Sequence, residues 1–173
     1  KDNFDMDLDM PEVMDERALV YGEMAAPSVA METQMNMYSL IRSEMRIKRT
    51  TPDFITHLQP DEIFVFGSNI LGFHDGGASE RALYRFDAIY GQPEGIQGSS
   101  YAIPTDGVMY YDLKSHVLRF IEYAREHPDK KFLLTKIGCG TAGYDVTQIA
   151  PFFREAIDLS NVMLPLEFWK LLL

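Results

Sequence analysis

The chain has 173 residues, 46% of them hydrophobic, and a mean hydropathy of −0.15, which suits one globular domain of ordinary size plus an extension. A net charge of −10 excludes non-specific nucleic-acid binding, which needs a basic surface to neutralise phosphates. The single cysteine, Cys139, excludes an internal disulfide framework, and no apolar run approaches the length of a membrane span.

The charge is unevenly placed. Residues 1–44 hold ten acidic residues against Lys1, Arg17 and Arg42, and eight of the ten methionines occur by Met45. An acidic, Met-rich extension over 1–44 is therefore set apart from a domain over 45–173. The acid-rich start is the opposite of a signal peptide's basic one, and the first residue is Lys1, as in a trimmed chain. With the lone cysteine, the expected compartment is the cytoplasm. Pro11, Gly22 and Pro27 break any long element through residue 28. Two readings stand for this stretch: a partly ordered segment lying across the domain, or a peptide-like segment that docks on a partner or covers a site.

Over 29–45, Met31, Met35, Tyr38, Ile41 and Met45 fall roughly in line, which predicts an amphipathic helix. Arg42, Arg46, Lys48 and Arg49 make a basic patch, read either as a solvated face or as a partner of the acidic extension. Met45 to Thr50 is expected as a short edge strand. Thr51 suits a helix cap and Pro52 the first helical position, so one or two helical turns are expected through Leu58. Gln59-Pro60-Asp61 then turns the chain into the core.

Ile63-Phe64-Val65-Phe66 is a continuous apolar run, as a central strand buried on both faces requires. It stops at Gly67-Ser68-Asn69, and a helix is expected from Ala78 to about Ala88. Residues 90–98 are glycine-rich and read as a loop. Tyr101 to Pro104 reads as a second strand, ended by Thr105-Asp106-Gly107. From Asp112, a plausible N-cap, the spacing of Leu113, Val117, Phe120, Ile121 and Ala124 predicts the strongest helix, closed by Pro128. A strand over 131–137, a helix over roughly 147–158, a strand over 161–165 and a helical cap around Trp169 complete an alternating α/β pattern. Such alternation implies a mainly parallel sheet covered on both faces.

The turn Gly138-Cys139-Gly140-Thr141-Ala142-Gly143, between a strand and a helix, has the form of an anion cradle, and its expected cargo is a diphosphate. Its letters also spell the dinucleotide fingerprint G-x-G-x-x-G. That fingerprint normally opens the first βαβ unit, whereas only some thirty residues follow here. A P-loop is excluded because Tyr144-Asp145 stand where Lys and Ser/Thr are needed.

Taken together, the apolar strand ending in Gly67-Ser68-Asn69, Gly76-Gly77 opening a helix, and Ile137 to Tyr144 resemble the macrodomain family. Residues 88–92 and 97–105 look like those of a bacterial macrodomain-like subfamily, and the resemblance covers about 48–165. It implies a three-layer α/β/α sandwich with a mainly parallel mixed sheet, and a small-molecule ligand, ADP-ribose or a related nucleotide diphosphate. Some family members remove ADP-ribosyl groups from macromolecules, which makes an ADP-ribosyl glycohydrolase the enzymatic form of the expectation. Carried onto this chain, Gly138, Cys139, Gly140, Thr141, Ala142, Gly143 and Tyr144 would wrap the diphosphate. Gly67 and Ser68 would approach the adenosine end, and Asn69 would hydrogen-bond the distal ribose. Gly76 and Gly77 would let the backbone close over that sugar, while Gln97 and Gly98 would flank the adenosine side. The chain departs from the family in having Phe73-His74-Asp75 before only two glycines, and Cys139-Gly140-Thr141 in place of S-T-G.

Asn69 and Asp75 are the expected catalytic residues. Asp75 beside the glycine pair suits a general base that orients water or the ribose, or else an N-cap on the helix that Gly76 begins. His74 reads as an acid or base, or as an exposed loop histidine. Cys139 reads as a small buried thiol in preference to a nucleophile. His57, His116 and His127 show no metal-ligand spacing, and neither metal nor cofactor is expected. A non-catalytic reader of ADP-ribose or an NAD metabolite, acting through a protein partner, is the alternative; a fold remnant with an empty pocket is the third reading. The sequence is silent on oligomeric state.

Overall fold

A computed structural model describes residues 26–173. The reading of residues 1–25 as an acidic strap or docking peptide lies outside the described residues. The chain divides into two compact units, Lys1–Tyr38 and Ser39–Leu173. Helix α1, Val29–Lys48, runs through the expected boundary at 44/45 and contains no buried residue. The predicted helix thus forms, but Met31, Met35, Tyr38 and Ile41 are exposed along it.

In the second unit, strands β1 (Glu62–Asn69), β2 (Gly95–Gln97), β3 (Ser100–Asp106), β4 (Lys131–Leu134) and β5 (Val162–Met163) form one sheet in the order β2-β3-β1-β4-β5. All neighbours are parallel except β2 and β3. The sheet is therefore mixed and mainly parallel, with β1 at its centre.

Alternation along β1 sends side chains to two cores. Val65 joins Tyr101, Ile103, Phe132 and Leu134 in a larger cluster, together with helix α3 (Tyr110–Glu126), a 3-10 helix (Ala150–Asp158) and helix α5 (Leu166–Leu172). Phe64 and Phe66 join Ala102 and Leu133 on the other face, covered by Ile55 and by Ala82 and Phe86 of the region of helix α2 (Gly77–Arg85). Helical elements on both faces are compatible with an α/β/α sandwich. Helix α3 buries the five residues whose spacing predicts it, and each large one contributes about 1.5–3 kcal/mol.

Several local expectations are corrected. Met45 to Lys48 is the end of α1, and only Thr50 makes a sheet bridge, to Leu164. Arg49 is not part of a solvated patch. Its buried guanidinium donates to the carbonyls of Ala156 (2.9 Å), Ile157 (2.7 Å) and Val162 (3.0 Å) and lies 5.0 Å from the Trp169 ring. Burial holds its pKa below the ordinary value. Residues 51–58 form no helix despite the cap signals, since they bring little apolar surface to the core beyond Ile55 and the half-buried Leu58. The glycine-rich stretch contains β2, an edge strand too short to show alternation. Met109 caps α3, with Asp112 in the first turn. Beyond the glycine turn, helix α4 (Val146–Ile149) is a single turn, and Pro151 carries the chain on as a 3-10 helix. No helix among the described residues is long and apolar enough to cross a membrane.

Candidate functional site

Strands β1, β3 and β4 run the same way, so their C-terminal ends meet at one edge of the sheet. From β1 the chain reaches β3 on one side, and from β3 it crosses to β4 on the other. A crevice at the carboxyl ends of parallel strands, where the order reverses, is the usual ligand site of open α/β sheets. A cleft of about 640 Å³ lies there.

Gly67, Ser68, Asn69, Asp75, Gly76, Gly77, Gly138, Cys139, Gly140, Thr141 and Ala142 all line this cleft. Two loops some seventy residues apart in sequence thus face one space. Gln97, Gly98, Gly143 and Tyr144 are not among its lining residues. Gln97 is buried and structural: its Oε1 accepts from Ile89 N (2.7 Å) and pairs with His74 Nε2 (3.2 Å). Gly98, at φ +54°, packs against the Asp87 backbone, where a Cβ would come within 2.7 Å of the carbonyl oxygen. The Tyr144 ring lies tilted against that of Tyr110, with centroids 5.6 Å apart, and its hydroxyl donates to the Val108 carbonyl at 3.3 Å.

The helix end expected to favour an anion is already capped. Asp145 caps α4 with its own carboxylate, which accepts from Thr147 N at 2.9 Å in a reciprocal capping box with Gln148. That helix end is already filled. Across the cleft, Gly76 precedes α2 as its cap and offers no side-chain hydrogen bond, leaving the first-turn amides of Gly77, Ala78 and Ser79 without capping partners. Among the described residues the amides of Gly138, Gly140, Thr141 and Ala142 make no hydrogen bond either. The cleft is thus flanked by unengaged backbone donors on two sides.

Its charged side chains are mixed: Asp53, Asp75 and Asp106 against Arg81 and Lys136. Lys136 holds Glu167 at 2.8 Å, and that hydrogen bond raises the lysine pKa and lowers the carboxylate's. Backbone amides, more than side-chain cations, would have to hold an anion here.

Asn69 is oriented by two bonds. Its Oδ1 accepts from Leu71 N at 2.8 Å, and its Nδ2 donates to Asp106 Oδ2 at 2.8 Å. The Ser68 hydroxyl is engaged by the Pro93 carbonyl, so it is not free for a ligand. Asp75 is exposed and does not cap α2, whose cap is Gly76, so the capping alternative falls. His74, expected in an exposed loop if not catalytic, is 1% exposed, set edge-on to Phe66 at 5.1 Å, with Nδ1 unpaired. Cys139 is half-buried, and burial, then the Asp145 charge, pushes its thiol pKa up, against nucleophilic activation.

Thr105, Asp106, Asp53, Arg81 and Lys136 are cleft residues that the sequence reading passed over. A carboxylate at the end of the second strand, before Gly107, was the available signal for Asp106. Comparison of the chain with models of protein families, with curated proteins and with solved structures finds no match in any of the three.

Proposed function

We propose that the chain is a macrodomain-like domain that binds ADP-ribose or a related nucleotide diphosphate in this cleft, with ADP-ribosyl hydrolysis as its catalytic form. The observation that carries the proposal is the pairing of two glycine loops, Gly67 to Gly77 and Gly138 to Ala142, on opposite sides of one cleft. Unengaged amides at the start of α2 and in the later loop suit a diphosphate, and close backbone approach at the glycines suits an extended ligand. In the hydrolytic form Asp75 serves as the base, since its carboxylate is uncapped and open to the cleft.

The non-catalytic reader has one observation of its own. Asn69 has its side-chain oxygen and one N–H already engaged, a rigid arrangement suited to recognition.

Titration calorimetry with ADP-ribose tests the common claim; no binding at millimolar ligand sinks both forms. Turnover of an ADP-ribosylated substrate separates them. In the hydrolytic form Asp75→Ala slows turnover about 100-fold or more, the usual worth of a general base, and Asn69→Ala also abolishes it. A wild-type chain that binds ADP-ribose without turnover is the reader, and activity persisting in both variants rules out this site as the catalytic one.

A further inference from the structure

Resting on the reading of the cleft as an ADP-ribose site, we propose that the bulged end of β3, Thr105 and Asp106, forms the subsite that recognises a ribose vicinal diol. It thereby selects a sugar-bearing diphosphate over a bare one.

Strands β1 and β3 pair residue for residue from Phe64↔Ser100 to Ser68↔Pro104, and then the register shifts so that Asn69 faces Asp106. Thr105 is the extra residue. In a regular strand Thr105 and Asp106 would point to opposite faces; the shift lets both line the cleft. Bulges next to sites commonly re-aim side chains in this way.

Thr105 is 4% exposed, yet its hydroxyl makes no hydrogen bond among the described residues. It lies beside Gly67, where a Cβ would come within 2.8 Å of Thr105 Oγ1. Only glycine leaves that hydroxyl its place at the cleft. The hydroxyl oxygen is not among the fully buried unpartnered atoms, so it keeps the access to the cleft that a ligand hydroxyl needs.

Asp106 supplies the complementary acceptor. Its Oδ2 takes one Asn69 N–H, and its other oxygen has no partner among the described residues. Leu71 N fixes the Asn69 oxygen, which leaves the second Nδ2–H as the amide's remaining donor. Carboxylate acceptor, amide donor and hydroxyl therefore sit together at the ends of adjacent strands. A vicinal diol offers two hydroxyls that both donate and accept, and matches that set. A phosphate does not, because it would meet the Asp106 carboxylate as a like charge. The amide-lined sides of the cleft are left for the diphosphate, and the sugar is sorted to β3.

The test is calorimetry on the full chain with two probes, ADP-ribose and inorganic pyrophosphate, for wild type, Asp106→Ala and Thr105→Val. ADP-ribose affinity is expected to fall about tenfold or more in Asp106→Ala, as befits a hydrogen bond to a charged group, and roughly threefold to tenfold in Thr105→Val. Pyrophosphate affinity should stay within about twofold, since pyrophosphate carries no sugar for the subsite. Unchanged ADP-ribose affinity in the variants overturns this inference and leaves the proposed function standing; so does an equal loss for both probes. A wild-type chain that binds neither probe overturns both. Circular dichroism checks folding, and if Asp106→Ala fails to fold, the shape-conserving Thr105→Val carries the same comparison.

Discussion

Gly138 is where the later loop depends most on having no side chain. It sits at φ +72°, and a Cβ there would meet Ile149 Cδ1 at 3.2 Å. Gly143 is also left-handed, at φ +75°, but faces open space, whereas Gly140 is outside the left-handed region with nothing within 4 Å. Three glycines that look equivalent in the sequence thus carry different constraints. Gly138→Ala is expected to cost about 1–3 kcal/mol, and Gly143→Ala about 1–2 kcal/mol. Gly140→Ala should be neutral or stabilising by up to about 1 kcal/mol, because it restricts only the unfolded chain. Urea denaturation of the three variants measures the order, and equal shifts for Gly138→Ala and Gly140→Ala would refute this account of the loop. The glycine spacing announced a turn; which glycine is obligatory depends on Ile149, eleven residues on, and that is a packing fact no local pattern carries.

Among the elements, the long periodic ones were legible and the short ones were not. Helix α3 announces itself because its five buried positions repeat at helical spacing, and strand β1 because Ile63 to Phe66 form an unbroken buried apolar run. Strand β2 has three residues, starting at Gly95 and stopping before Gly98, too few for any period. The cap signal at Thr51-Pro52 is real chemistry, but a helix also needs an apolar face to bury, and 51–58 offers little beyond Ile55 and the half-buried Leu58. Pro151 interrupts a sound helical pattern, which then tightens to 3-10 geometry. The bulge in β3 leaves no mark at all, which is why Asp106 was read only as a strand end.

The contact between the loop before β2 and α3 gives a pH prediction at this scale. Glu94 accepts from Arg119 Nε at 2.8 Å and pairs with His116 Nδ1 at 3.0 Å. Burial raises its pKa, but the hydrogen bonds and charges of Arg119 and His116 together outweigh that and hold it below the ordinary 4.5. A lowered carboxylate stabilises the fold above its unfolded value and loses that contribution as pH falls through the folded one. Beneath it, burial and then the Glu94 charge push Tyr101 up to about 12 from an ordinary 10.0. Its contribution is full below pH 10 and disappears as pH rises toward 12. The melting temperature should fall on both sides. Glu94→Gln should flatten the acid limb, at a cost of about 1 kcal/mol near neutrality for a partly exposed pair, and Tyr101→Phe should flatten the alkaline limb. An acid limb unchanged in Glu94→Gln would remove this cluster from the account.

At the scale of the whole molecule, the parallel strands and the reversal of order at β1 are what bring Gly67 to Gly77 and Gly138 to Ala142 to one edge. Alternation of strands and helices made an α/β sheet legible, and it follows that loops after parallel strands collect at one end. Strand order was not legible, because it rests on pairings across tens of residues. Every residue that lines the cleft lies between Asp53 and Ala142, within the compact unit Ser39–Leu173. That unit also contains both cores. A chain beginning at Ser39 is therefore expected to unfold cooperatively and to bind ADP-ribose within about threefold of the full chain, a difference of under 1 kcal/mol. Thermal denaturation and calorimetry on the two chains decide it. If the shortened chain folds but loses ADP-ribose affinity tenfold or more, residues 1–38 take part in recognition, and the cleft as drawn from Asp53 to Ala142 is incomplete. If it binds as well as the full chain, the acidic, Met-rich segment is free for work outside the pocket, which is what the reader alternative requires of it.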